Sequence, residues 1–253
     1  MCLIGVAMKV HEQFPFILCA NRDEFYARDT KEAHFWDENP SLLAGKDLEK
    51  GGTWLGLSED GEVAALTNVR SYDKQEVSST TSRGEIVSSY FNDRKYFQHI
   101  LEKKSHYSGF NLLYGTIHKL VYTTNQSYKD QVITSGIHIL SNATLNSPWP
   151  KAMKLEQGLR EIQDLSKDEL TDYLFHLLSL KEPFPDVHLP DTGVGLTLER
   201  QLSPIHILTE KYGTKSSTLI LVDTNGKVTF IERTYESDKK DIEYSFLISP
   251  EKR

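Results

Sequence analysis

Residues 2 to 10 form a nearly continuous apolar run ending at the polar patch His11-Glu12-Gln13, and a second run, Phe16-Ile17-Leu18-Cys19-Ala20, follows at once. Short apolar runs bounded by polar turns read as buried strands, here an antiparallel pair. With the turn centred near residue 12 or 13, the pairing sets Cys2 across from Asp23. A second hairpin is marked by residues 54 to 59 and 62 to 67 flanking Asp60-Gly61, a dipeptide favoured in two-residue turns. Its register predicts Asn68 beside Thr53 and the Gly51-Gly52 pair. Residues 82 to 104 carry Ile86, Val87, Tyr90, Phe91, Phe97, Ile100 and Leu101 at helical spacing, which predicts one or two helices opened by a Ser82/Glu85 capping box. Strand patterns return at residues 111 to 114, 120 to 123 and 137 to 140, and helical patterns at 148 to 163 and 167 to 180. Residues 183 to 195 are rich in proline and glycine and read as a loop. Strands at 217 to 223 and 228 to 234 flank Thr224-Asn225-Gly226, and 244 to 248 reads as a last strand. Antiparallel hairpins with helices inserted as blocks predict an α+β fold with helices covering sheet faces, not a doubly wound parallel sheet.

Composition narrows the function. A length of 253 residues suits one domain with a core large enough to need neither disulfides nor a structural metal. The net charge of −7 gives no basic surplus for phosphate neutralisation, so nucleic acid is not an expected partner. No apolar run approaches the roughly 18 residues that cross a bilayer, and the N-terminus lacks the positive region of a secretion signal. The expectation is a soluble cytoplasmic protein. There is no phosphate-binding loop, no complete dinucleotide fingerprint, no Gly-x-Ser-x-Gly elbow, and no close Cys/His cluster among nine histidines and two cysteines. No dedicated metal or cofactor is expected.

The remaining chemistry lies at the N-terminus. Removing Met1 would expose Cys2 as the first residue, with thiol and α-amine on the same residue. An α-amine with a pKa near 7.7 to 8.0 can accept a thiol proton near neutrality, as N-terminal-nucleophile hydrolysis of an amide or acyl bond requires. A cysteine at position two equally suits a small buried apolar side chain. The polar tetrad Asn21-Arg22-Asp23-Glu24 directly follows a buried strand, opposite Cys2. Asp23 is placed to orient the amine and Arg22 to favour thiolate.

Met1-Cys2 and Ala20-Asn21-Arg22-Asp23-Glu24 combine with further pieces along the chain. These are Gly51-Gly52-Thr53-Trp54-Leu55-Gly56, Leu66-Thr67-Asn68-Val69-Arg70, Ser82-Arg83-Gly84 and Tyr107-Ser108-Gly109-Phe110-Asn111-Leu112, then Leu140-Ser141-Asn142 with Pro148-Trp149-Pro150-Lys151, Tyr212-Gly213-Thr214 with Ser217-Thr218, and Glu232-Arg233. Together they resemble the NRDE family, also called the transport and Golgi organisation protein 2 family, over nearly the whole chain. The resemblance implies an N-terminal-nucleophile-hydrolase-like four-layer αββα sandwich of antiparallel sheets, with residues 1–253 as one domain. Within its motifs, Asn21, Glu24, Gly52, Thr53, Trp54 and Arg70 are candidate substrate-binding residues.

The family is linked to secretory-pathway organisation, lipid and acyl-CoA metabolism and haem trafficking. That leaves two main readings open: a cysteine hydrolase of linear amide or acyl bonds, or a non-catalytic carrier of haem, lipid or acyl-CoA. A trafficking adaptor is a third. A more distant similarity, to choloylglycine hydrolases and penicillin V acylases, implies the catalytic set Cys2, Arg22, Asp23, Asn68 and Asn142, with the two asparagines at the oxyanion. Those enzymes separate the Arg and Asp by two residues, whereas Arg22 and Asp23 are adjacent. Adjacent strand residues face opposite ways, so both reach Cys2 only at a bulge or strand end, and Asp23 is favoured over Arg22. Arg83, Arg200 and Arg233 are candidates for a further arginine used by those hydrolases. Tyr26, Phe35, Trp36, Tyr72 and Trp149 are candidates to line an apolar pocket or pack the core.

Overall fold

The computed structural model describes residues 2–70, 82–127, 129–235 and 240–249. The two opening apolar runs form β1 (Cys2–Met8) and β2 (Phe16–Phe25), paired antiparallel. Cys2 lies opposite Arg22, one place from the expected Asp23. The shift arises because the turn centres on Glu12: Lys9 takes a left-handed φ of 56° and donates its N–H to the Pro15 carbonyl at 2.8 Å. The His11 Nδ1 accepts from the N–H groups of Gln13 and Phe14 and holds this turn.

Next come β3 (Thr30–Trp36) and β4 (Asn39–Asp47), two strands that the apolar pattern does not announce. β3 is a sheet edge bearing Lys31 and Glu32, as solvated edges often do, and β4 carries Pro40 and Gly45. In the second hairpin, β5 (Leu55–Ser58) and β6 (Glu62–Asn68) are joined by three residues, with Gly61 at φ +83°, so Leu57 pairs with Val63 and the expected register moves by one. The helical block is two helices, α1 (Gly84–Asn92) and α2 (Arg94–Glu102), divided where Asp93 caps α2 by accepting from the N–H groups of Lys95 and Tyr96. The expected Ser82/Glu85 capping box does not form: Arg83 occupies the cap position, and Glu85 instead accepts from the hydroxyls of Tyr107 and Tyr96.

The chain continues through β7 (Phe110–Thr116), β8 (Lys119–Thr124), β9 (Gln131–Ile133) and β10 (Gly136–Leu140), then α3 (Pro150–Leu159) and α4 (Lys167–Leu178). A capping box does open α4, between Ser166 and Glu169. The Pro/Gly-rich loop ends in α5 (Leu196–Leu202), which its short, weakly apolar sequence conceals. Last are β11 (Tyr212–Val222), five residues longer at its start than its apolar stretch, β12 (Lys227–Thr234) and β13 (Lys240–Leu247).

One sheet has the order β10-β1-β2-β11-β12-β13 and the other β3-β4-β5-β6-β7-β8-β9, with antiparallel neighbours throughout. Ile4, Val6, Leu18, Ile220 and Phe230 of the first meet Leu57, Val63 and Leu113 of the second. The outer face of the first sheet packs Leu3, Ile17, Cys19 and Leu219 against Leu155 and Leu159 of α3 and Leu174 of α4. The outer face of the second packs Ala64, Leu66 and Leu112 against Ile86 and Val87 of α1 and Phe97 of α2. The result is the expected αββα layering. Strand alternation then sends Cys2 and Arg22, in phase with Ile4 and Leu18, between the sheets, and sends Asn21 and Asp23, in phase with Ile17 and Cys19, toward the helices.

Two stitches join the sheets. At the end remote from Cys2, the Ile248 N–H donates to Gly226 and the Ser249 N–H to Glu59, each at 2.9 Å, tying one turn from each sheet. Near Cys2, the segment after β10 is fastened to β6 and β7: Thr67 Oγ1 donates to the Ser141 carbonyl at 2.5 Å, and Asn111 Nδ2 to the Ala143 carbonyl at 2.7 Å.

Candidate active site

Cys2 begins the first paired position of β1 and lines a cavity of about 310 Å³ between the sheets. Arg22, Asp23 and Glu24 come to it from β2, Arg28 from the turn that follows, Asp47 from the end of β4, and Lys50, Thr53 and Trp54 from the next turn. Leu66 and Asn68 close it from β6, while Ser82, Arg83, Gly84 and Ser108 complete the wall. Most of this lining is polar or charged.

Arg22, and not the expected Asp23, is the direct cross-strand neighbour of Cys2 and shares its face. Its guanidinium lies over Trp54, 3.9 Å from the ring centroid, and Nη1 donates to Thr30 Oγ1 at 2.7 Å. Behind it, the buried Glu232 on β12 accepts the Ala33 N–H at 2.7 Å. Burial pushes the Glu232 carboxyl up to about 7, against the Ala33 hydrogen bond and the attraction of Arg22.

Asp23 reaches the site from the opposite face. It is 1% exposed, and its Oδ1 accepts Thr214 Oγ1–H at 2.6 Å from the directly paired residue of β11. A register shift between Thr214 and Ser216 turns Thr214 to that face. Burial raises the Asp23 carboxyl pKa, opposed by Lys151 and the Thr214 bond. The Cys2 thiol is pushed up by burial and by the Asp23 charge, while Arg22 and the Asp23 N–H pull it down.

The asparagines divide their work. Asn68 lines the cavity, and no hydrogen bond to a described residue occupies its side-chain amide. Asn142 is fully buried beside it, its Nδ2 donating to the Asn68 carbonyl at 3.0 Å and its own carbonyl accepting the Arg70 N–H at 2.8 Å. Asn21 is outside the cavity: its Nδ2 donates to the carbonyls of Leu178 and Ile205, each at 2.9 Å, and its Oδ1 accepts from Ser217 Oγ. Arg70 is also outside, bonded to Glu199 at 2.7 Å and lying over Trp149. Glu24 and Thr53 are in the lining, and Gly52 supports it where a Cβ would come within 2.4 Å of the Gly84 backbone.

Of the three further arginine candidates only Arg83 lines the cavity, with Nη1 donating to the Gly109 carbonyl at 3.0 Å. Arg200 pairs with Asp186, and Arg233 with Asp241. The described aromatic candidates lie elsewhere: Trp36 is core, Phe35 packs on Tyr244 and Phe246, and Trp149 lies under Arg70. Tyr26 stands against Gly213, and Tyr72 lies outside the described residues. Sequence reasoning missed Arg28, Asp47 and Lys50. Arg28 and Asp47 form a 2.6 Å ion pair at the rim, where burial works against the Asp47 carboxylate but the Arg28 bond holds it below the usual carboxylate range. Recognising β4 would have exposed them.

Brief iodoacetamide treatment near pH 8, read by peptide mapping, is expected to label Cys2 and spare Cys19. Cys19 has no exposed surface and burial pushes its thiol up to about 12, whereas Cys2 keeps 9% exposure within the cavity. Equal labelling of the folded protein would contradict this.

An αββα sandwich with a cysteine at the head of its first strand, opening between the sheets, has the N-terminal-nucleophile-hydrolase-like fold. Solved structures agree. A Caenorhabditis elegans N-acylethanolamine-hydrolyzing acid amidase ortholog superposes with a TM-score of 0.50 over 87% of this chain and 92% of its own, at 11% identity. The C2A mutant of a conjugated bile acid hydrolase from Clostridium perfringens gives 0.51 over 97% and 96%, also at 11% identity. The chain belongs to the Transport and Golgi organisation 2 family, whose sequence profile matches residues 1–237. It is 35% identical over 243 residues to the human Transport and Golgi organization protein 2 homolog, covering 87% of each chain, and 29% identical over 267 residues to the Drosophila melanogaster protein, covering 92% of each. Among the described residues no helix is long and apolar enough to cross a membrane.

Proposed function

We propose that this chain is a cysteine N-terminal-nucleophile hydrolase acting on a linear amide or related acyl bond of a small molecule in the cytoplasm. The observation that carries the reading is the placement of Cys2 at a strand end, opposite Arg22, in a cavity that also holds Asp23 and Asn68. In this scheme, loss of Met1 frees the Cys2 α-amine. The amine takes the thiol proton, the sulfur attacks the acyl carbon, the proton passes to the leaving group as its bond to that carbon breaks, and water then hydrolyses the thioester to free Cys2. Arg22 steadies the thiolate, and Asp23 holds the amine through a charge-assisted hydrogen bond. Asn68 donates to the developing oxyanion while Asn142 fixes its backbone from behind. Glu24, Thr53 and Trp54 contact the substrate, with Gly52 shaping the wall. Both structural neighbours are named as hydrolases, which supports the class of reaction.

The lining favours a small polar substrate over a haem or a long acyl chain: Trp54 and Leu66 are its large apolar members among the described residues. A panel of acyl amides and acyl-CoA thioesters tested with the wild type and Cys2→Ala is expected to show turnover that the substitution abolishes, in protein whose intact mass begins at Cys2. Turnover by protein retaining Met1, or binding without turnover, would overturn the reading in favour of a carrier.

A further inference from the structure

The segment that carries α5 is fastened to the strand end that carries Asn68. Between residues 191 and 200, Thr192 and Glu199 are buried and every other residue is exposed. Both buried side chains are polar, so directed bonds and not apolar packing hold this stretch inward. Glu199 Oε1 accepts the N–H of Thr192 at 2.8 Å together with the Thr192 hydroxyl, which closes the loop on itself. Glu199 Oε2 accepts Arg70 Nη2 at 2.7 Å, which carries the contact out of the loop. Nε and Nη1 of Arg70 are buried without a hydrogen bond among the described residues, so Glu199 is that side chain's polar anchor there. A buried, charge-assisted bond of this kind is strong and directional, and losing one partner strands the other. The connection continues through the backbone. The Arg70 N–H donates to the Asn142 carbonyl at 2.8 Å, and Asn142 Nδ2 donates to the Asn68 carbonyl at 3.0 Å. The pairing of β6 with β7 ends at Asn68, opposite Phe110, so from there these bonds take over from the sheet in setting the course of the chain.

We propose that Glu199 is a positioning residue for the oxyanion: by gripping Arg70 it holds residues 68–70 against Asn142 and so keeps Asn68 in place to donate to the tetrahedral intermediate. This rests on the reading of Cys2 as nucleophile and Asn68 as oxyanion donor. Asn68 occupies the last paired position of its strand, where one neighbour lies in the ladder and the other is held by these bonds alone. An oxyanion donor must sit about 2.7 to 3.1 Å from the developing charge. A displacement of about 1 Å caused by a change far from the chemistry can cost roughly 100-fold in rate. Glu199 touches neither Cys2 nor the cavity lining, so its effect passes through Arg70 and Asn142.

Two reactions of Cys2 separate the placement of Asn68 from the integrity of the site. Alkylation by iodoacetamide is a direct displacement of iodide by sulfur and forms no oxyanion. Acylation by p-nitrophenyl acetate passes through one: sulfur bonds to the acetyl carbon, p-nitrophenolate leaves with the bonding pair, and water then splits the thioester to acetic acid and the free thiol. In Glu199→Gln a single carbonyl oxygen replaces two carboxylate oxygens, so Thr192 and Arg70 cannot both keep their bonds. This variant is expected to slow p-nitrophenolate release about tenfold while iodoacetamide labelling stays within about twofold of the wild type. Exchange of the Arg70 amide hydrogen should quicken about tenfold as its bond to Asn142 loosens. If Glu199 acts through Asn68, the double variant Asn68→Ala/Glu199→Gln is acylated no more slowly than Asn68→Ala alone. Glu199→Met/Arg70→Met removes both halves of the buried pair, so it supplies the same comparison if Glu199→Gln fails to fold. Equal slowing of both reactions, unchanged acylation in the folded variant, or unchanged Arg70 exchange would overturn the proposal. Failure of the underlying reading is seen separately, as wild-type p-nitrophenolate release that Cys2→Ala leaves intact, and the positioning role then falls with it.

Discussion

Asn68→Ala is expected to reduce turnover about 100- to 1000-fold, equivalent to roughly 3 to 4 kcal/mol of transition-state stabilisation, with little change in stability. The expectation follows from how the asparagine is employed. Its carbonyl is engaged by Asn142, but no described residue takes its side-chain amide, and Asn68 lines the cavity that also holds Cys2. A group absent from the fold's own hydrogen bonding is dispensable to folding, yet available to a negative charge developing on bound substrate. The measurement is kcat on whichever substrate the panel identifies, with KM alongside it. A large fall in kcat at near-constant KM is the signature of an interaction made only in the transition state. A fall confined to KM would make Asn68 a binding residue.

Asn21→Ala is expected to do the reverse. Three buried hydrogen bonds anchor this side chain, to Leu178 at the end of α4, to Ile205 and to Ser217 on β11. Losing them leaves the partner groups unsatisfied, at about 1 kcal/mol or more each. A total near 3 kcal/mol should lower the thermal unfolding midpoint by roughly 6 to 12 °C in a chain of this size. Cys2 alkylation in the folded protein should keep its wild-type pH profile. An unchanged midpoint with slowed alkylation would return Asn21 to the site.

Much of the layering was legible because hairpins write themselves in sequence. Asp60-Gly61 and Asn225-Gly226 each mark a turn, and the apolar runs at residues 2 to 10 and 16 to 20 mark β1 and β2. Registers came out one residue off in the first two hairpins, since a turn's length depends on local contacts such as the His11 ring and the left-handed Lys9 that composition does not reveal. β3 was hidden because an edge strand is selected for charge rather than alternation, and β4, an inner strand, because Pro40 and Gly45 interrupt its apolar pattern. In the candidate site, Cys2, Arg22, Asp23, Glu24, Thr53, Trp54 and Asn68 were all named from sequence and do meet in one cavity. Asn21 and Arg70 sit in the same motifs but make their side-chain bonds outside the cavity. A motif thus mixes residues that build a strand end with residues that use it, and only the register separates them.

The stitches at the two ends of the sandwich bear on selectivity. Ile248 and Ser249 pin the turns at one end, and Thr67, Asn111 and Asn142 pin the segment after β10 at the other. Sheets held at both ends resist sliding, which gives the slot between Cys2 and Trp54 a set thickness before any ligand arrives. Such a slot sorts molecules by the girth of the group that must pass between its walls more than by overall length, as a feeler gauge admits one blade and refuses the next.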